Sequence, residues 1–418
     1  MEITKEIQAF LLEEGKNRFL KYIKIDTTSD EGTGTFPSTQ KQFDLGKILV
    51  NELKDLGFEN VILDEFCFVY GDLPASKGYE KSQPIGLLAH MDTSPSESGA
   101  NIEPVIHEKY DGKPITYPKN PDITLTLQDS PLLEKFKGMD IITSSGDTLL
   151  GADDKSGIAG IMAAAAAWHK YPELKHGPIT VCFTPDEEIG HGTTKIDMDR
   201  LPKFCYTFDG GEMGELEIEC FDAWKATITF NGISVHPGYA KNLMVNAIEV
   251  ASRFVSQIPE AETPQHVEKR EGFYHLYKME GDCVKAKTIF ILRDFKKENN
   301  QKRMKYLEKL KVAFEERYPG LKIELDFQHS YENMLVYLEE HPEVIQKAAD
   351  AIKMADLELH QTLIRGGTDG ARLSARGIPT PNLFAGGVLF HSLKEYIPIP
   401  ALQKSAEVIL YLAKNWIG

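Results

Sequence analysis

The sequence predicts an α/β protein in which a mixed sheet flanked by helices is carried in two stretches of chain, with a smaller α+β module inserted between them. Three observations predict it. Near-continuous apolar runs at 84–89, 178–184 and 204–208 have the texture of strands buried on both faces. Helical periodicities precede or separate those runs. Beyond Gly214 the texture changes to half-exposed alternation, with Ala226, Ile228 and Phe230 set against Thr227 and Thr229, and buried-core texture returns from His341. The boundaries drawn from these changes are 1–213 and 331–418 for the main domain and 214–330 for the insert.

Taken in order, Ile7, Phe10, Leu11, Phe19, Leu20 and Ile23 lie at helical spacing, so an amphipathic helix opens the chain. A second helical pattern covers 43–56, and strands follow at 67–72 and 84–89. Residues 97–147, rich in Pro, Gly and Asp, read as a long irregular excursion, and a loop of that length inside a compact domain is commonly functional. The alanine-rich stretch 158–168 reads as a helix. Within the insert the pattern gives a strand in 216–230, a helix in 242–258, a strand at 285–294, a charged helix at 297–318 and a strand at 321–329. A further helix is expected at 344–355.

Composition narrows the function. Of 418 residues, 42% are hydrophobic and 26% charged, the balance of an ordinary globular chain. The net charge of -16 argues against nucleic acid or an anionic membrane as partner. The five cysteines form no C-x-x-C pair, which excludes a zinc finger and favours a reducing, cytoplasmic compartment. The N-terminus lacks the pattern of a signal peptide, and no apolar run approaches the length of a membrane span.

Five separated loops present metal-capable side chains at the ends of apolar stretches: His90 with Asp92, Asp153, Glu187 with Glu188, Asp209, and His391. Adjacent acids such as Asp153-Asp154 repel unless a cation or a raised pKa relieves them. Taken singly, each has a structural explanation: Asp-Asp caps a helix, Asp-Gly-Gly makes a turn, and a lone His satisfies a hydrogen bond. Jointly, two imidazoles, three carboxylates and no thiolate suit a pair of divalent ions, provided one carboxylate bridges them, and a spare Glu is left as a base.

The motifs 89–95 (AHMDTSP), 150–155 (LGADDK), 184–190 (TPDEEIG), 209–212 (DGGE), 235–238 (VHPG), 271–276 (EGFYHL), 293–295 (RDF) and 365–370 (RGGTDG) resemble, in order and along nearly the whole chain, the dinuclear-zinc exopeptidases, specifically the aminotripeptidase (peptidase T) family. The resemblance implies that Asp153 bridges two ions, most simply Zn2+, with His90 and Asp209 completing one site and Glu188 and His391 the other. It implies a cis peptide between Asp153 and Asp154, Asp92 as the carboxylate that orients the His90 imidazole, and Glu187 as the general base for metal-activated water. His236 of the insert would stabilise the oxyanion, Arg365 and Arg293 would clamp the substrate carboxylate, and Asn246 would orient the peptide. An ion pair with Asp294 is the structural alternative for Arg293. Where many relatives carry Asn-aromatic-His before the last ligand, this chain has Leu389-Phe390-His391, which makes that pocket wall apolar.

The expected activity is release of the N-terminal residue from short peptides, most simply tripeptides, by an enzyme whose insert serves as lid and dimer contact in a homodimer. The competing readings are a dipeptidase or acylamino-acid hydrolase using the same metals, and a catalytically silent peptide-binding homologue.

Overall fold

The computed structural model describes residues 2–417 and divides into two units. One comprises the chain up to Ile218, Val336–Thr362, and Thr368 onward. The other comprises Glu219–Leu335 together with a short return, Leu363–Gly367.

The first unit is built on an eight-stranded mixed sheet in the order Glu59–Leu63, Val69–Leu73, Ile179–Thr184, Ile85–His90, Phe204–Gly210, Asn382–Phe384, Glu215–Cys220, His360–Ile364. The four strands Ile179–Thr184, Ile85–His90, Phe204–Gly210 and Asn382–Phe384 run parallel. The Ile85–His90 strand is buried at every position, because helices cover both faces of a parallel sheet. On one face pack the helices Lys5–Tyr22, Ala152–Lys170, Pro342–Met354 and Ile399–Asn415, around Leu11, Phe19, Leu87, Ile161, Tyr206 and Leu402. On the other, Phe68, Tyr70, Leu88, Cys182 and Cys205 pack with Leu373 of the Asp369–Ala375 helix.

The small residues of Ala152–Lys170 set how closely that helix can approach its neighbours. A Cβ at Gly157 would lie 2.0 Å from the Phe208 carbonyl oxygen, and one at Gly160 2.4 Å from Ser405 Oγ. Glycine is therefore required where the helix crosses the Phe204–Gly210 strand and where it crosses the Ile399–Asn415 helix. The alanines extend this close packing along Ala163–Ala167, all buried. No helix among the described residues is long and apolar enough to cross a membrane.

The second unit is a four-stranded antiparallel sheet in the order Phe273–Gly281, Lys285–Asp294, Asp222–Asn231, Lys322–Tyr331. The helices Ala247–Val255 and Lys297–Arg317 pack on it around Ile228, Phe230, Phe254, Phe290 and Phe314. Within this unit the buried Arg303 pairs with Asp294 at 2.6 Å.

Several sequence expectations are corrected. Residues 97–147 are not irregular: they form the hairpin Ile115–Tyr117/Asn120–Leu125 and two strands, Val105–His107 and Ile141–Thr143, that join Tyr396–Pro398 in a three-stranded sheet. These strands, three to six residues long, are too short to display an alternation, and Tyr110, Tyr117, Leu133 and Phe136 close their own small core. The 216–230 stretch is two strands, Glu215–Cys220 and Asp222–Asn231, which belong to different sheets. Phe273–Gly281 is a further strand of the insert, its outer half exposed with Tyr277 and Met279 on it.

Candidate metal centre and active site

In a parallel sheet the carboxyl ends of the strands gather on one edge, and loops leaving that edge converge. His90 ends the Ile85–His90 strand, Asp209 is the penultimate residue of Phe204–Gly210, and Glu187 and Glu188 follow Ile179–Thr184. Asn382–Phe384 leads into the loop that carries His391, and Asp153 and Asp154 open the Ala152–Lys170 helix with non-helical dihedrals across a cis peptide.

Asp153 stands at the middle of this cluster. Its Oδ1 lies 2.8 Å from His90 Nε2 and its Oδ2 3.0 Å from His391 Nε2. His90 Nε2 is also 3.4 Å from Asp209 Oδ1, and His391 Nε2 is 2.9 Å from Glu188 Oε2. The two oxygens of one carboxylate thus address two different ligand groups, as a bridging carboxylate must. Ligand atoms of His90, Asp153 and Glu188 converge within 4.8 Å of one another, as do those of His90, Asp154 and Asp209. Asp154 also supports the cluster, as its Oδ2 accepts the His90 amide and its Oδ1 the Gly157 amide.

The donor set fits divalent cations. Glu188 Oε1 is buried with no hydrogen-bond partner, an arrangement costly for a carboxylate oxygen unless a cation binds it. Electrostatics give the same answer. Burial, reinforced by the charge of Asp153, pushes the Glu188 carboxyl up to about 8 and that of Asp209 to about 7. Hydrogen bonds to Asp153 and Glu188 raise the His391 imidazole to about 11. Burial and the Asp209 charge hold Glu187 well above the usual carboxylate range.

Ligation requires ionised carboxylates and neutral imidazoles, so an entering ion must displace protons from this cluster. Groups whose protons are held this tightly lose them as pH rises, so apparent metal affinity is expected to rise between pH 6 and pH 9, with net proton release. Calorimetric titration in buffers of different ionisation enthalpy measures that release, and binding that neither releases protons nor strengthens with pH would contradict it.

Asp92 is placed differently from a simple partner of His90. The His90 Nδ1 lies 3.0 Å from the Asp92 main-chain carbonyl, whereas the Asp92 carboxylate accepts the Glu187 amide at 3.0 Å and the Glu188 amide at 3.2 Å. Its Oδ1 lies 3.4 Å from the same imidazole nitrogen. One buried acid therefore contacts two elements of the site.

Three further supports escaped the sequence reading. Asp186, at φ 56°, accepts Ser38 N, Ser38 Oγ and Gln42 Nε2, which pins the start of the Glu187-Glu188 turn. Asn382 Oδ1 accepts the Asp209 amide at 3.0 Å. Glu395 gathers the amides around Asp153. Asp186 lies inside the 184–190 motif, Glu395 is a single acid at the mouth of the apolar run 396–399, and Asn382 carries no local signal.

The expected substrate-binding residues all lie in the second unit. His236 is exposed, and its Nδ1 accepts the Gly238 amide at 3.1 Å, which places the ring proton on Nε2 as a donor. Asn246 Oδ1 caps the Ala247–Val255 helix through the Glu249 amide. Arg293 lies over the Tyr331 ring and donates to the carbonyls of Leu292 and Trp224, and the alternative of an Arg293–Asp294 ion pair is corrected, since Asp294 pairs with Arg303. Arg365 donates through one nitrogen to the carbonyls of Lys269 and Glu271, above Phe221 and Phe273.

A mixed α/β sheet bearing an imidazole–carboxylate cluster of this composition defines a hydrolase built around a metal centre. The chain belongs to peptidase family M20/M25/M40, whose family model matches residues 149–415, and within it to the peptidase T group. It is 44% identical over 403 residues to peptidase T of Listeria welshimeri, covering 96% of this chain and 98% of that protein. It is 45% identical over 395 residues to peptidase T of Halothermothrix orenii, covering 94% and 97%. Its fold is similar to that of the aminopeptidase PepT from Bacillus cereus, with a TM-score of 0.76 at 23% identity over 97% of this chain and 99% of that one. A Bacillus subtilis protein described as a dinuclear metal binding peptidase from the M20 family shares the fold with a TM-score of 0.65 at 13% identity, over 96% and 97% of the two chains.

Proposed function

We propose that this protein is a two-metal aminopeptidase that releases the N-terminal residue from tripeptides. The observation that carries the reading is the division of the Asp153 carboxylate between His90 and His391, with Asp209 beside the first imidazole and Glu188 beside the second. In this reading His90, Asp153 and Asp209 hold one ion and Asp153, Glu188 and His391 the other, with zinc the ion that best suits the ligand mix. Bound there, divalent ions would lower the pKa of a water and polarise the scissile carbonyl.

The chain's own groups supply the rest. Glu187, its carboxyl held above the usual carboxylate range by burial and the charge of Asp209, takes the proton of the attacking water and delivers it to the leaving amine. Asp92 fixes the base by holding the amides of Glu187 and Glu188. The resemblance to the aminotripeptidase family assigns His236 to the developing oxyanion, and Asn246, Arg293 and Arg365 to recognition of the peptide.

The Staphylococcus aureus neighbour described as a tripeptidase supports a tripeptide as substrate, and the scattered cysteines, none in a C-x-x-C pair, support a reducing, cytoplasmic setting. The exposed Phe273–Gly281 edge strand, with Tyr277 62% exposed, supports a homodimer formed through the second unit. Hydrolysis of a di-, tri- and tetrapeptide series with free and blocked N-termini tests the assignment. Cleavage confined to free-amine tripeptides is expected, whereas turnover of dipeptides or N-acylated amino acids would replace the aminotripeptidase reading with that of a related amidohydrolase.

A further inference from the structure

The Glu395 carboxylate is almost fully buried and is surrounded by main-chain donors. Its Oε2 accepts the amides of Leu150 (2.7 Å) and Gly151 (2.9 Å), and its Oε1 those of Ala152 (2.7 Å) and Asp153 (3.2 Å). Four successive amides thus converge on one carboxylate. They lie at the start of the Ala152–Lys170 helix, where amides have no intrahelical acceptor. The residue at the cap position, Gly151 in the left-handed region at φ 78°, has no side chain with which to cap them. Glu395 supplies that cap from more than 240 residues away.

The location of Glu395 gives the cap a second consequence. It lies four residues after His391, in a loop whose base is closed by reciprocal main-chain hydrogen bonds between Val388 and Tyr396. Within that loop Leu389 and His391 both have φ 58°, a conformation that L-residues hold only when the surroundings enforce it. The carboxylate therefore ties the main chain of Asp153 to the loop that presents His391.

We propose that Glu395 is a positioning residue of the metal centre, setting the distance between the bridging Asp153 and the His391 imidazole. The inference rests on the two-metal reading above. It assigns an unequal effect to the two sites. His90 and Asp209 ride on neighbouring parallel strands in register through the Leu88–Thr207 pair, so their separation is fixed by the sheet. His391 is 45% exposed and lies on a loop, so its position depends on the Val388–Tyr396 closure and on Glu395.

The test is a Co2+ titration of metal-free protein followed by visible absorption, with bound Zn2+ counted by equilibrium dialysis, for wild type, Glu395→Gln and Glu395→Asp. The glutamine keeps the volume but turns an NH2 toward donors, and is expected to weaken one of two binding steps by roughly 10- to 100-fold, as loss of a group supporting a metal ligand typically does, while the other step is unchanged. The aspartate keeps the charge and is expected to fall between glutamine and wild type. It carries the same comparison if the glutamine variant does not fold. Two wild-type steps in the variants would overturn the proposal, as would equal weakening of both steps together with a lower melting temperature of the metal-free protein, the mark of a helix cap alone. A wild type that binds no metal at all would instead remove the two-metal reading on which the proposal stands.

Discussion

The Glu187→Gln variant is expected to retain its fold and both metal ions while kcat on a tripeptide falls by about 10²- to 10⁴-fold, the range that a positioned general acid–base group contributes. The side chain follows the Ile179–Thr184 strand, and its main-chain amide is held by Asp92 and not by its own carboxylate. Replacing carboxylate by carboxamide therefore removes the proton acceptor without disturbing the anchor of the turn. The carboxyl is raised by burial and by the charge of Asp209, with Asp369 and Glu188 adding to the effect. Divalent ions placed among those carboxylates would offset the repulsion and favour the ionised form of the base. The deciding measurement is kcat with metal content determined on the same sample. A variant with two ions and wild-type kcat would remove Glu187 from the chemistry, whereas loss of an ion would show that it acts as a ligand.

The second large effect is expected at the bridge. Asp153→Asn supplies one oxygen and one NH2 where two oxygens now face His90 Nε2 and His391 Nε2. One of the two imidazoles then meets a donor instead of an acceptor, and the charge that holds the two ligand groups together is lost. Affinity for both ions is expected to fall by more than the roughly 100-fold that marks the upper range for losing a merely supporting group, and peptide hydrolysis with it. Dialysis against graded free Zn2+ gives the two occupancies directly. A variant that loses one ion and keeps the other at wild-type affinity would show that Asp153 belongs to one site only and does not bridge. The loss at both sites expected for Asp153→Asn differs from the outcome expected for Glu395→Gln, which leaves one site intact, so the two variants together separate bridging from positioning.

Part of this molecule was legible before any coordinates. The runs at 84–89, 178–184 and 204–208 are buried strands, and the polar residues that end them carry the metal-capable side chains, because a parallel sheet buries its strands and leaves only their ends to hold polar groups. The helices at the N-terminus, after Asp154 and at 297–317 follow from periodicity and composition, which are local properties. The sequence by itself therefore determined the α/β class and the chemical types gathered at the strand ends.

Tertiary structure alone decided which group faces which. The Asp92 carboxylate turns to the amides of Glu187 and Glu188, Asp294 pairs with Arg303 and not with its neighbour Arg293, and Glu395 reaches the Leu150–Asp153 amides. The strands Val105–His107 and Ile141–Thr143 are likewise completed into a sheet by Tyr396–Pro398, which returns to pair with Ile141–Thr143. The physical reason is common to all of these. Burial preference and periodicity are written residue by residue, whereas a hydrogen-bond partner is selected by the geometry of segments that for Glu395 lie more than 240 residues apart, and no local pattern carries that distance.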